Sequence, residues 1–83
     1  MTVYLCKVYD GILGDWVETG AFSTTGKAMN SGSEYITCAC PEGAELIDWD
    51  YSSGTSWTDW YQNTRGRIFT RVVTKFEVDK KLV

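Results

Sequence analysis

The sequence predicts an α+β domain: a small antiparallel sheet of four to five strands with one helix, over about residues 24–39, packed on one face. Three observations lead there. TVYLCKVY near the start and RIFTRVVTKFEV near the end are rich in β-branched and aromatic residues, the composition of strands. AELIDWDY, between them, alternates as a half-buried strand does. After Ser23, residues Ala28, Gly32, Tyr35, Ile36 and Ala39 recur at helical spacing and would lay one stripe on a sheet.

The elements follow in order. TVYLCKVY ends at Asp10-Gly11, a turn signal, and the glycine- and aspartate-containing stretch DGILGDW reads as a loop. WVETGAF then returns as a second strand, which makes an opening hairpin. Ser23 is the N-cap candidate for the helix. Its interior is weak, because Gly26, Asn30, Ser31, Gly32 and Ser33 are poor helix formers and glycine costs up to about 1 kcal/mol relative to alanine. The competing reading is mostly β: a short helix stops near Asn30, and EYITCAC forms a strand paired with AELIDWDY through Pro41-Glu42-Gly43.

In AELIDWDY, simple alternation sends Glu45, Ile47, Trp49 and Tyr51 to one side and Leu46, Asp48 and Asp50 to the other. SWTDWYQ and RIFTRVVTKFEV flank NTRG, where Asn63 and Gly66 stand at the first and last positions favoured by a type I turn; these runs should form a hairpin. DKKLV closes the chain as a charged tail.

The 83 residues form one domain, 1–83, since a chain this short buries only roughly 60 to 65% of its unfolded surface and has no room for a second core. No apolar run reaches membrane-spanning length, so no membrane partner is expected. MTVYLCKVYD has neither the basic start nor the apolar stretch of a signal peptide, which makes the cytoplasm the expected location. An odd cysteine count (Cys6, Cys38 and Cys40) fits reduced thiols there. With no histidine and a lone C-x-C pair, no metal or cofactor is expected.

Catalytic motifs fail on inspection. GAFSTTGKAM places five residues between Gly20 and Gly26-Lys27 where a phosphate loop has four, and Ala28 stands where the magnesium-binding hydroxyl belongs. Without histidine the Ser-His and Cys-His arrangements are excluded. The aspartates Asp48, Asp50 and Asp59 beside tryptophans resemble a glycosidase acid pair only in composition, and so small a scaffold has little means of shifting a carboxylate by burial. The expectation is a non-enzyme with no catalytic residues.

What remains is DWDYSSGTSWTDWYQ, with five large aromatics and three aspartates in fifteen residues. Trp49, Trp57 and Tyr61 are assigned to the core. That many rings exceed what a sheet with one covered face can hide, so at least one should stay accessible, and Trp60 is the candidate. If Tyr61 sits opposite Ile68, the core side collects Trp57, Tyr61, Ile68, Val72, Phe76 and Val78. Trp60, Phe69, Arg67, Arg71 and Thr58 then share the outer face; a one-residue slip would exchange the sides.

Charge is uneven. Residues 1–59 hold two lysines against nine acids, a net of −7, and residues 60–83 hold six basic groups against two acids, a net of +4. The acidic part suits a basic groove on a partner. Arg65, Arg67 and Arg71 beside Trp60 and Phe69 offer the alternative of a single-stranded nucleic-acid binder, which the sequence pI of about 4.7 disfavours. A carbohydrate-binding module built on the Trp and Asp cluster is the third reading.

The stretch TGAFSTTGKAM followed by CPEGAELIDWD resembles, in format, small bacteriophage-encoded inhibitors such as anti-CRISPR proteins and inhibitors of host RNA polymerase. The resemblance covers about half the chain. It implies a compact α+β build and a partner that is a host protein or nucleoprotein complex, blocked by surface occlusion. It transfers no functional residue. The expected contact residues are Trp60, Phe69, Arg65, Arg67, Arg71, Asp48, Asp50 and Asp59, with Asp15 and Glu18 as further acids able to stand in for phosphates. The oligomeric state stays open.

Overall fold

The structure is a computed structural model and describes residues 1–78; the DKKLV tail, from Asp79, lies outside them. Five strands form one antiparallel sheet: β1 (Thr2–Asp10), β2 (Asp15–Phe22), β3 (Ala44–Asp50), β4 (Ser56–Asn63) and β5 (Ile68–Glu77), in the spatial order β2-β1-β5-β4-β3. One helix, α1 (Thr25–Ala39), links the two sheet edges by crossing a single face. The expected α+β class and both hairpins are present. Among the described residues no helix is long and apolar enough to cross a membrane.

Helix α1 runs through residues 31–39, so EYITCAC is not a strand. Its N-cap is Thr24, one position after the Ser23 expected from sequence: the Thr24 hydroxyl accepts from the Lys27 N–H at 3.2 Å. Tertiary partners explain why weak helix formers persist in its middle. A methyl group on Gly32 would stand 2.6 Å from Arg71 Cδ and 2.9 Å from Cys6 Sγ, so glycine is what lets the helix approach the sheet there. Ser31 donates to the Ala28 carbonyl at 2.7 Å and pairs with the Thr19 hydroxyl at 2.7 Å. Ser33 accepts from Arg71.

The core lies between α1 and the sheet. Val8, Ile36, Cys40 and Phe69 form one cluster; Cys6, Ala28 and Val73 form the other, with Tyr4, Phe22, Met29 and Trp57 against it. The final hairpin turns at Asn63–Gly66 as expected, with the Gly66 N–H donating to the Asn63 carbonyl at 3.1 Å and Gly66 at φ +78°. Asn63 is buried, and its Oδ1 accepts from the N–H groups of Arg65 and Arg67 at 3.0 and 2.9 Å.

Register in that hairpin is the slipped alternative. Tyr61 faces Phe69, Trp60 faces Thr70 and Asp59 faces Arg71, so Phe69, Arg71 and Val73 point under the helix while Ile68, Val72 and Phe76 take the outer face. The tight Asn63 turn sets this phase, which hydrophobicity alone leaves degenerate because β5 carries large apolar groups on both sides. A bulge between Leu46 and Asp48 likewise overturns the simple alternation in β3. The additional residue, Ile47, resets the phase, and Leu46 (opposite Tyr61) joins Trp49 (opposite Asp59) on the helix side.

Candidate functional site

The helix covers only part of its face. It packs on β1, β2 and β5 and leaves the helix side of β4 and β3 open. Trp49, expected in the core, is therefore 60% exposed at the sheet edge, with Leu46 and Tyr51 exposed beside it. Trp57 and Tyr61, nearer the centre, pack against the core as expected. A depression of about 250 Å³ separates the last turns of α1 from β4, lined by Ile36, Thr37, Cys40, Ala44 and Tyr61 among others.

Under this edge sits a polar cluster. Arg71 Nε donates to Asp59 Oδ2 at 2.8 Å and Nη2 reaches the same oxygen; Nη1 donates to Ser33 Oγ at 2.6 Å and to the Met29 carbonyl at 3.1 Å. The Tyr51 hydroxyl donates to Asp59 Oδ1, and the Tyr61 ring lies 5.6 Å from the Arg71 guanidinium carbon. Asp59 is fully buried and Arg71 nearly so. Burial would lower the Arg71 pKa, but the hydrogen bond to Asp59 and the surrounding charges hold it above its ordinary value. Burial, followed by the hydrogen bond to Asp59, pushes Tyr51 up. Such a cluster is closed on itself: every buried side-chain polar atom among the described residues has a partner. It fixes α1 to β4 and β5 and offers no free acid or base for chemistry.

The eight expected contact residues divide accordingly. Phe69 and Arg71 are interior because the slipped register turns β5 over, and Asp59 is interior because it shares the core-facing side of β4 with Trp57 and Tyr61. They are corrected from contact residues to framework. Trp60 keeps the outer face, half-buried, directly opposite Asp48, and Asp50 follows opposite Thr58; these three do come together. Arg65 and Arg67 are exposed at the turn, held by Asn63, and do not join Arg71.

Sequence reasoning missed three exposed groups. Trp16 is 45% exposed on the outer face, edge-on to Tyr9 at 5.5 Å with Lys7 Nζ 4.6 Å above its ring. Leu46 and Tyr51 are the others. A signal existed for these last two: Glu45, Asp48 and Asp50 make β3 acidic, a common protection for an edge strand, and edges are where a single helix leaves rings uncovered. Among the described residues the outer face of the sheet carries no helix, and Leu5, Phe76, Lys7 and Glu18 border a second depression there of about 310 Å³. Comparisons with protein-family models, with curated proteins and with solved structures give no match to this chain.

Proposed function

We propose that the chain is a non-enzymatic protein-binding module that grips a macromolecular partner through rings its single helix does not cover. The observation that carries this reading is the exposure of Trp49, Trp16 and Tyr51, at 60, 45 and 42%, in a domain with few residues to spare for its own core. Large rings held on a rigid sheet lose little side-chain freedom on binding, and tryptophan and tyrosine dominate interface energetics. In line with the resemblance in format to phage inhibitors, the first class of target is a component of a host nucleoprotein complex in the cytoplasm, occluded by occupation of its surface.

The nucleic-acid alternative is weaker than the sequence suggested. It needed Phe69 and Arg71 beside Trp60, and both are inside. Arg65 and Arg67 remain, separated from the β3 edge where Asp48 and Asp50 would repel phosphates.

The test is affinity capture from a bacterial lysate with the immobilised protein, beside a labelled oligonucleotide titration at low salt. A specific protein complex retained by the native chain, lost with Trp49→Ala or Trp16→Ala and accompanied by no oligonucleotide binding, is the expected result. Oligonucleotide binding that declines steeply with salt, with no protein retained, would replace this reading by the nucleic-acid one.

A further inference from the structure

Resting on that protein-binding reading, we propose that the partner supplies an amphipathic α-helix with lysine or arginine along one flank, and that this helix lies on the outer face of the sheet, along the central strand β5. The edge rings Trp49 and Tyr51, on the other face, are left to the rest of the partner. The middle of the outer face is apolar: Val3, Leu5 and Tyr9 of β1 stand beside Ile68, Val72 and Phe76 of β5, with Leu5 and Phe76 exposed. A helix about 10 Å across covers β5 and the strand on each side of it. Gly20 and Ala21 leave β2 without bulk next to Leu5 and Phe76, and the resulting depression of about 310 Å³ has room for one large apolar side chain of the incoming helix.

Charge selects the occupant. Simple alternation would put Glu45 on the opposite side of β3 from Asp48 and Asp50, but the bulge at Ile47 brings all three onto the outer face, opposite Gln62, Trp60 and Thr58. The other outward charges on the strands are Lys7 and Glu18, which stand directly opposite one another and offset. Three acids therefore remain in a row on one side of the apolar strip, and among the described residues none of them is in an ion pair. β3 runs about 10 Å to one side of β5, a span that a lysine or arginine on that flank of the helix bridges.

Spacing fits as well. Helix positions four apart rise about 6.0 Å and alternate strand positions about 6.7 Å, so basic residues at i, i+4 and i+8 stay in step with Glu45, Asp48 and Asp50. The same acids repel the other occupants of an open sheet face. Nucleic acid and an anionic membrane carry their sign, and a second copy brings a face with the same excess of acids.

The experiment uses a synthetic 18-residue peptide with leucine at helical spacing and lysine four apart on one flank, and a second peptide with glutamate for every lysine. Calorimetry measures affinity, methyl shifts in NMR locate the site, and circular dichroism follows the peptide. The lysine peptide is expected to bind, gain helix and shift the methyl groups of Leu5, Ile68 and Val72 while those of Ile36 and Leu46, on the other face, stay in place; the glutamate peptide is not expected to bind. Asp48→Asn with Asp50→Asn keeps the acceptor oxygens used by the Trp49 and Ser52 N–H groups and should weaken binding about fivefold or more. Leu5→Ala with Phe76→Ala, verified as folded, should do the same, and Trp49→Ala should leave peptide binding unchanged. Equal binding of both peptides, no binding by the lysine peptide, a bound peptide without helix, shifts centred on Ile36 and Leu46, or native affinity in the asparagine variant would each overturn the proposal. Failure of the wider reading is distinguishable: a lysate partner still lost with Trp49→Ala, while the lysine peptide does not bind, removes this site and leaves the module standing.

Discussion

Arg71 and Asp59 stand directly opposite one another on β5 and β4, buried under α1, with Nε to Oδ2 at 2.8 Å. Both charges are out of water, and each is satisfied by the other and by Ser33, Met29 and Tyr51. Removing one partner strands the other. Arg71→Met or Asp59→Ala alone should therefore cost about 3–5 kcal/mol, enough to unfold much of a domain whose whole stability is about 5–15 kcal/mol. Asp59→Leu combined with Arg71→Met should recover most of that loss, because an apolar pair of similar volume needs no solvation. Urea unfolding of the two single variants and the double variant reads the difference.

Gly32 rests against the stem of Arg71 and the Cys6 thiol. Gly32→Ala improves intrinsic helix propensity by about 1 kcal/mol, but the added methyl meets an Arg71 stem that Asp59 holds in place. Overpacking of this kind costs about 1–3 kcal/mol, so the variant should be less stable than the native chain despite its better helix former. Thermal melting by circular dichroism checks the sign.

Asn63 ties the final hairpin by accepting from two turn N–H groups while itself buried. Asn63→Ala leaves those donors without their acceptor and should destabilise the domain by about 1–3 kcal/mol. In urea unfolding the midpoint should fall, and faster amide exchange at Arg65 and Arg67 should accompany it.

The Asp10–Tyr35 pair sets part of the pH response. Burial alone would raise the Asp10 pKa, but hydrogen bonds from the Tyr35 hydroxyl (2.7 Å) and the N–H groups of Leu13 and Ile12 outweigh it and hold it below the ordinary 3.8. The same hydrogen bond, with burial and the Asp10 charge, pushes Tyr35 up from 10.0 to about 12. A folded-state pKa below the unfolded one adds stability that is present above 3.8 and lost as pH falls through the lowered value. The tyrosine works in the opposite direction: its contribution is complete below pH 10.0 and is lost on the way to about 12. Tyr35→Phe should shrink the alkaline loss, with Tyr51 and Tyr61, both raised chiefly by burial, accounting for the remainder. Asp10→Asn should shrink the acid loss. Urea midpoints across pH measure both.

Much of the fold was legible because local signals agreed with it: two hairpins with turn residues between β-rich runs, and an apolar stripe at helical spacing ending before Pro41. The site was less so. β5 reads Ile-Phe-Thr-Arg-Val-Val, large on both sides, so its face assignment depended on a register that only the turn decides. In β3 one added residue, Ile47, shifted the phase and carried Leu46 across. Trp49 was assigned to the core by residue type, yet its exposure follows from strand order, which a sequence does not state: β3 is an edge and the helix lies elsewhere. Gly32, Ser31 and Ser33 weakened the helix reading for a reason visible only in three dimensions, since each serves the contact with the sheet.

Rings left uncovered by the single helix are the proposed contact surface. The most direct measurement is the affinity, by calorimetry, of the captured partner for Trp49→Ala, Trp16→Ala and Trp60→Ala, each verified as folded. Trp49→Ala, at the exposed sheet edge, is expected to weaken the complex by about tenfold or more. Native affinity in all three folded variants would contradict it.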